Sequence, residues 1–271
     1  MSGIWPGDTQ LVAMLTFDVD GVSSWLNRNP GFKDHPSLMS MAEYGPSVAV
    51  PRILDLLDDQ SIKASFFVPG YVAETHTGMV EDIVRRGHEV GHHGYMHEPA
   101  YSLSAEEEIQ VLEKCTAILQ GITGQAVRGY RSPSWDLSTR SMGLLASRGF
   151  LYDSSMFGDD APYLVNTGSA GESMVEIPVS WLLDDAPNFV YAPVAGRLGP
   201  MRNPDEVYGS WSAEFDGLYR YGRAFHLTMH PQYIGRPGRL LMLERLITYI
   251  RSFPNVEFMR CQEVAELWAG R

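Results

Sequence analysis

The stretch VAMLTFDVDG, residues 12–21, decides which fold this chain can adopt. Its first six residues, Val12 to Phe17, are nearly all apolar, as expected of a buried strand. Asp18 and Asp20 follow directly, and side chains two apart on an extended chain point to the same side. The stretch therefore predicts a buried strand whose carboxyl end brings two carboxylates into one pocket.

The rest of the chain alternates between strand-like and helix-like segments. Further strands are predicted at 63–68, 89–91, 126–131, 150–152, 175–179, 224–229 and 256–259, and helices at 48–57, 78–86, 104–121, 138–147, 204–221, 239–252 and 261–268. Ser104 and Glu107 have the spacing of a capping box. Residues 158–173 are predicted to form a long loop, because they carry Gly, Asp, Pro and Asn. Seven or more strand-then-helix units favour an α/β fold whose parallel sheet closes, or nearly closes, into a barrel.

The composition excludes several classes of function. Of the 271 residues, 44% are hydrophobic, which is enough for a large buried core. A net charge of −12 and the absence of long basic runs argue against a nucleic-acid partner. No segment approaches the roughly 20 apolar residues of a membrane span, and no signal peptide is visible, so we expect a cytoplasmic protein. Cys115 and Cys261 are expected to be buried thiols rather than a disulfide.

Polar residues of chemical interest fall where the predicted strands end. GHHGYMHE (91–98) follows one strand, RSPSW (131–135) another, and His230 a third. In a barrel of parallel strands, the loops that leave the carboxyl ends meet around one site. Arg131 alone could be a surface ion pair and Asp18 a helix cap. Such ordinary explanations would all have to hold together, which favours a single functional site.

The spacing of the histidines predicts which of them share a metal ion. If residues 93–97 form a helical turn, side chains four apart lie about 40° apart around the helix axis. His93 and His97 would then face one ion, whereas His92 and His97 would diverge. His88 and His92 are therefore interpreted as structural or supporting residues.

The carboxylates complete a hydrolytic site. Two imidazoles and one carboxylate, from either Asp20 or Asp18, make an open site for a divalent metal. The other carboxylate is free to accept the proton of an attacking water, and Arg131 would keep that base ionised. With a separate histidine to protonate the leaving nitrogen, the pattern indicates hydrolysis of an amide-type C–N bond.

With these residues identified, the chain resembles the polysaccharide deacetylase superfamily (NodB homology, carbohydrate esterase family 4), and within it the cytosolic, peptidoglycan-deacetylase-like group. The stretches that carry the resemblance, in the family's order, are LTFDVDG (15–21), GHEVGHHGYMHE (87–98), GYRSPSWDLS (129–138), VEIPVSWLLDD (175–185) and HLTMHPQYIGRPGRL (226–240). The resemblance implies a distorted (β/α)7 barrel that forms a single catalytic domain over residues 1–271. Members of this group are often tetramers, so it also implies a homo-oligomer.

The resemblance further implies a role for each site residue. Three residues would carry the catalysis, namely the general base Asp18, its tether Arg131 and the general acid His230. Three would hold the divalent ion, expected to be Zn²⁺: Asp20, His93 and His97. Four would contact the substrate: Trp135, Pro133, Trp181 and Tyr95.

Three functions are consistent with this reading. The first is removal of an acetyl group from an N-acetylated sugar or oligosaccharide of the peptidoglycan type. The second is hydrolysis of a cyclic imide or ureide, because residues 230–240 also resemble the allantoinases and cyclic imide hydrolases of the same superfamily. The third is a carbohydrate-binding protein without catalysis, which would require that a catalytic group be missing.

Overall fold

The structure is a computed structural model that describes residues 4–168, 172–199 and 201–270. Its strands alternate with helices along most of the chain. The strands are β1 (Leu11–Asp18), β2 (Ser65–Val68), β3 (Glu89–His92), β4 (Gly129–Tyr130), β5 (Tyr152–Asp153), β6 (Tyr163–Asn166), β7 (Ser173–Glu176), β8 (Ala224–Met229) and β9 (Val256–Phe258). The helices are α1 (Ser23–Arg28), α2 (Pro36–Tyr44), α3 (Val50–Asp59), α4 (Gly70–Thr75), α5 (Thr77–Arg85), α6 (Ala105–Thr123), α7 (Ser141–Ser147), α8 (Ala186–Phe189), α9 (Pro204–Tyr221), α10 (Pro231–Ile234), α11 (Pro237–Arg251) and α12 (Cys261–Ala269).

The strands form one curled sheet in the order β6-β7-β5-β4-β3-β2-β1-β8, with β9 beside the first half of β1. Every pairing is parallel except that of β6 with β7. The predicted α/β barrel-like fold is therefore confirmed, although the sheet closes only part of the way round. Because β6 occupies the free edge of β7, that edge cannot reach β8. A single bridge between Asp184 and Thr228 spans part of the gap.

The first strand is buried on both faces of the sheet. Leu11, Ala13, Leu15 and Phe17 belong to the main hydrophobic core. Val12 and Met14, which point the other way, belong to a second cluster that includes Trp268 of α12. This double burial explains why the segment is a continuous apolar run rather than an alternating one.

The local predictions are confirmed at most of the strands and helices, and one predicted loop is wrong in part. The capping box is present, since Ser104 Oγ accepts from the Glu107 amide and the Glu107 carboxylate accepts from the Ser104 amide. Helix α6 ends at Thr123, two residues beyond the predicted stop near Gly121, and is capped by Gly124 in the left-handed conformation. The predicted loop 158–173 is wrong in part, because β6 and β7 form an antiparallel hairpin there; residues 169–171 lie outside the described residues. Cys115 and Cys261 are free and buried, as expected.

The residues around the β6–β7 hairpin are typical of a loop, and for this reason the sequence did not predict the hairpin. The Tyr-Leu-Val triplet at 163–165 has strand propensity, but Gly, Asp and Pro surround it in the sequence. Leu164 is 52% exposed, so β6 lacks the buried apolar face that marks a strand in the sequence. Its place in the sheet comes from pairing with β7.

Across residues 4–168, 172–199 and 201–270, each helix is too short or too polar to cross a membrane.

Gly129 of β4 is predicted to be a stability determinant. A Cβ there would overlap the ring of the fully buried Tyr152. We expect Gly129→Ala to lower the free energy of unfolding by about 1–3 kcal/mol through overpacking. As a matched control, Gly121→Ala in α6 meets no atom within 4 Å and should raise it by about 0.5–1 kcal/mol. Denaturant unfolding measures both, and an unchanged midpoint for Gly129→Ala would contradict the packing argument.

Candidate metal centre and active site

The chemically interesting side chains meet at the carboxyl ends of the parallel strands. Asp18 ends β1 and Asp20 lies two residues beyond it, His93 follows β3, and His230 follows β8. Together with His97 they line one cavity of about 620 Å³. This is the edge at which parallel α/β sheets and barrels place their ligands.

Asp20, His93 and His97 form the tightest cluster in the cavity. Oδ1 of Asp20 lies 3.5 Å from Nε2 of His93 and 3.5 Å from Nε2 of His97. All three side chains are buried, and their potential ligand atoms lie within 4.8 Å of one another. Asp20 Oδ1 makes no hydrogen bond, although it is fully buried. An unpartnered buried carboxylate oxygen is costly unless something outside the protein chain binds it.

The histidine pair meets by a route that differs from the predicted helical turn. Residues 93–97 form an irregular loop in which Gly94 (φ 71°) and His97 (φ 63°) adopt left-handed backbone conformations. The ring centroids of His93 and His97 are 5.1 Å apart. The prediction of a helical turn is therefore wrong, and it is the left-handed kinks that bring the two rings together. Asn27 of α1 holds the end of this loop by donating to the carbonyl oxygen of His97 (3.0 Å).

Hydrogen bonds and burial keep Asp20, His93 and His97 in forms whose lone pairs can bind a metal ion. Nδ1 of His93 donates to the carbonyl oxygen of Arg131 (2.8 Å), so Nε2 carries the free lone pair toward Asp20. Burial lowers the pKa of His97 to about 4, which keeps the ring neutral at physiological pH. Burial alone would raise the pKa of Asp20, but His97, His93 and His230 outweigh it and hold that pKa below the usual range. The cluster thus combines an ionised carboxylate with a neutral imidazole at His97.

Asp18 is held by the fully buried guanidinium of Arg131. Nη1 of Arg131 donates to Asp18 Oδ1 (2.7 Å) and to Thr16 Oγ1 (3.0 Å). Nη2 donates to Ser154 Oγ (3.1 Å) and His226 Nε2 (2.8 Å), and Nε donates to the Ser154 carbonyl oxygen (3.3 Å). All five N–H donors of the guanidinium are therefore satisfied. The second oxygen of Asp18 remains near the cluster, 3.9 Å from His93 Nε2.

His230 is held by Asp185, a residue that sequence reasoning missed. Nδ1 of His230 donates to Asp185 Oδ1 (2.7 Å), and its backbone N–H donates to the same carboxylate. Burial by itself would lower the pKa of His230, but Asp185, Asp184 and Asp20 raise it well above its usual value. The ring is therefore cationic at neutral pH. Its Nε2 lies 3.9 Å from Asp20 Oδ2.

His226 is the second residue that sequence reasoning missed. It lies inside the apolar strand β8, and its Nδ1 donates to the carbonyl oxygen of Pro178 (2.8 Å), which leaves Nε2 to accept from Arg131. Burial, assisted by Arg131, lowers the pKa of His226 to about 3, so the ring is a neutral acceptor. A polar residue at an inward position of an apolar strand is the signal that could have revealed it.

Aromatic side chains form one wall of the cavity. The rings of Trp135 and Trp181 are 4.3 Å apart, and Phe157 packs against both. Ser134 and Trp135 adopt left-handed conformations (φ 59° and 55°), a strained turn of the kind found where a functional side chain must be aimed. Trp135 and Trp181 line the cavity, and Trp181 is 52% exposed at its mouth.

Two of the four predicted substrate contacts lie elsewhere. Tyr95 and Pro133 do not belong to the described cavity lining. The Tyr95 ring is covered by the Lys114 ammonium, 3.3 Å from its centroid, and its hydroxyl donates to Glu74. A substrate contact for either residue stays a prediction. Both were suggested by their sequence position next to a site residue.

The contacts of His88 and His92 indicate structural roles for both residues. His92 is fully buried, and its Nδ1 accepts from the Gly94 amide (3.1 Å), which helps to shape the loop between the two site histidines. Nδ1 of His88 accepts from the Ala64 amide (3.1 Å). Burial lowers the pKa of both rings, to about 3 for His92 and about 4 for His88, so both are neutral.

Comparison with known proteins identifies the class. A family model described as polysaccharide deacetylase matches residues 32–152, and a curated relative is 32% identical over 92% of this chain. The chain belongs to the polysaccharide deacetylase family, and it is a hydrolase acting on carbon–nitrogen bonds other than peptide bonds. The curated relative is a peptidoglycan deacetylase from Helicobacter pylori, covered over 93% of its length.

Two solved structures share nearly the whole fold. A Mycobacterium smegmatis protein assigned to the polysaccharide deacetylases superposes with a TM-score of 0.95 and 35% identity, covering 100% of this chain and 94% of that one. The Puue allantoinase superposes with a TM-score of 0.85 and 25% identity, covering 98% of this chain and 92% of that one. A non-catalytic carbohydrate-binding protein would require a missing catalytic group, and the predicted base, acid and ligand side chains are all present among the described residues.

Replacement of Arg131 by lysine is predicted to destabilise the protein despite keeping the charge. Lysine lacks the guanidinium fork, so several buried acceptors lose their donors, each at about 1–3 kcal/mol. We expect Arg131→Lys to lower the free energy of unfolding by about 3 kcal/mol or more. The control Arg245→Lys changes an exposed pair with Asp205 and should cost less than about 1 kcal/mol. Equal denaturation midpoints for the two variants would refute this account.

Proposed function

We propose that this protein is a divalent-metal-dependent deacetylase that removes the acetyl group from an N-acetylated sugar of the peptidoglycan type. Residues 1–271 would act as a single catalytic domain, working in the cytoplasm and as a homo-oligomer. The observation that carries the proposal is the unpartnered, buried Oδ1 of Asp20, which faces the Nε2 atoms of His93 and His97. It is supported by the flanking carboxylate–arginine and histidine–carboxylate pairs and by the family to which the chain belongs.

The donor set fits a small divalent cation, most simply Zn²⁺. Donor atoms bound at about 2.1 Å to the corners of a tetrahedron are about 3.4 Å apart, and Asp20 Oδ1 lies 3.5 Å from each Nε2. Two imidazole nitrogens and one carboxylate oxygen are ordinary Zn²⁺ ligands and leave a coordination position open. Asp20, His93 and His97 would hold the ion, which when bound polarises a carbonyl and lowers the pKa of water.

The protein's own groups divide the proton transfers between them. Asp18 would accept the proton of the attacking water, since Arg131 occupies only one of its oxygens and holds the carboxylate in place. His230, cationic through Asp185, would donate a proton from Nε2 to the leaving nitrogen. The C–N bond breaks, and acetate and the free amine leave. Trp135 and Trp181 would form the apolar wall against which the sugar ring or acetyl methyl packs.

The proposal predicts different defects for ligand and base variants. His93→Ala and His97→Ala should each lose bound metal and acetate release together. Asp18→Asn should retain metal while acetate release falls by about 100-fold or more, because only the proton acceptor is removed. Metal content by elemental analysis and acetate release from chitooligosaccharides measure the two properties.

The exposed His35 provides a matched control, because His35→Ala removes an imidazole outside the cavity. That variant should keep both metal and activity. Full metal occupancy in His93→Ala or His97→Ala would refute the ligand assignment. Loss of metal in Asp18→Asn would show instead that Asp18 is a ligand.

A second candidate function is hydrolysis of a cyclic imide or ureide. It is favoured by the allantoinase-like structure, which covers nearly the whole chain, and it would use the same base and acid on a ring amide. A ring-opening assay on succinimide and hydantoin, run beside acetate release from chitooligosaccharides, separates the two functions. We expect acetate release to dominate. Ring opening without acetate release would reverse that order.

A further inference from the structure

We propose that Arg28 and Arg197 form an anion clamp at the cavity, which selects amide substrates that carry a carboxylate or phosphate group. The inference rests on the proposed amide hydrolysis and adds the charge of the substrate to it. Both arginines line the same cavity as Asp18, Asp20 and the histidines. Among the described residues that line this cavity, they are the only arginines or lysines.

Arg28 is fixed to the reaction centre through its helix. It is the last residue of α1, which begins just after Asp20. Ser23 donates to the Asp20 carbonyl oxygen from both its backbone N–H (3.1 Å) and its hydroxyl (2.6 Å). Asn27, the neighbour of Arg28, donates to the carbonyl oxygen of His97. The position of the Arg28 backbone is therefore coupled to two of the three candidate metal ligands.

Arg197 is held in a tight turn on the opposite segment. Its backbone N–H donates to the Ala192 carbonyl oxygen (3.0 Å), and the Ala192 N–H donates back to the Arg197 carbonyl oxygen (2.9 Å). Gly196 makes the turn with φ 69°. Ala192 shares a small hydrophobic cluster with Trp25 of α1. This cluster joins the two segments and so brings both arginines to one cavity.

The Arg28 guanidinium lies over the Trp25 ring, 5.9 Å from its centroid, and among the described residues no anion is paired with either arginine. In the part of the chain that the structure describes, neither guanidinium has an ion pair or a hydrogen bond from its side chain to a protein group. Burial and the like charge of Arg197 lower the pKa of Arg28, whereas Asp20 raises it less. Two nearby cations repel each other, and an anion between them would remove that repulsion. Guanidinium groups also match the paired oxygens of carboxylates and phosphates.

The overall charge makes such a clamp useful for an anionic substrate. The chain carries a net charge of −12, and Asp18 and Asp20 lie in the same cavity. An anionic substrate would meet a repulsive surface unless local cations compensate. Neutral amides would gain nothing from either arginine. The clamp therefore acts on discrimination between substrates rather than on the chemistry of hydrolysis.

The test uses three matched substrates: di-N-acetylchitobiose and two derivatives of it that carry one carboxylate or one phosphate. For the wild type, we expect kcat/KM for acetate release to be about tenfold or more higher for a charged derivative than for the neutral disaccharide. The preference should weaken as ionic strength rises. Comparison of the two derivatives shows which oxyacid group the clamp prefers.

Three variants and a control assign the preference to the arginines. Arg28→Gln and Arg197→Gln should each reduce the ratio of charged to neutral kcat/KM by about three- to tenfold, and Arg28→Lys should reduce it less. The control Arg220→Gln removes an exposed arginine on α9, outside the cavity, and should leave the ratio unchanged. A wild type without preference, or a preference that survives both clamp variants, overturns the proposal.

A binding measurement separates failure of the clamp from failure of the proposed function. Calorimetric titration of the Asp18→Asn protein with each disaccharide gives Kd without turnover. Tighter binding of a charged derivative, lost in Asp18→Asn/Arg28→Gln, supports the clamp even if the wild type releases no acetate. Acetate release with equal Kd values for all three ligands would retain the deacetylase function and eliminate the clamp.

Discussion

The buried ion pair between Arg131 and Asp18 is the interaction on which the rest of the site depends. Removing a guanidinium from water is costly, and the cost is offset only when every donor finds an acceptor. Here the five N–H groups reach acceptors that come from β1, β8 and the residue after β5. The backbone carbonyl oxygen of Arg131 accepts a hydrogen bond from His93 and so orients that ring. One side chain therefore sets the position of the candidate base and, through its backbone, the direction of a candidate metal ligand.

The site also gives two nearby histidines different charges, one neutral and one cationic. His226 and His230 are four residues apart along one strand and its end. Burial, assisted by the Arg131 cation, lowers the pKa of His226 to about 3, so its neutral ring accepts a hydrogen bond from Arg131. His230 faces Asp185, so its pKa rises and it keeps a proton to give. The neutral His226 can therefore help to orient the arginine that holds the candidate base Asp18, while His230 stays protonated at the same pH.

The floor of the cavity, formed by Asp18, Asp20 and His230, could be predicted from the sequence because these residues lie at or just after strand ends. The position of Asp18, Asp20 and His230 depends only on where an apolar run stops, and that is a one-dimensional signal. Asp185 could not be found this way, since its meeting with His230 depends on a bridge between distant segments at Thr228. The conformation of residues 93–97 was also beyond reach, because a left-handed φ at His97 is a property of the folded loop and not of the histidine type.

The floor and the mouth of the cavity have different physical supports, and this bears on how substrates are chosen. The floor lies on strands whose hydrogen-bonded ladders and main core hold it rigid. The mouth is built from α1, the segment around Trp181 and the turn at Arg197. A separate small cluster that includes Trp25 and Ala192 holds part of it. Substitutions in these loops can change which amide fits without disturbing Asp18, Arg131 or His230. The fold that this chain shares with the Mycobacterium smegmatis protein and the allantoinase is consistent with this division, because one set of groups at the strand ends would serve different amides while the mouth decides which one enters.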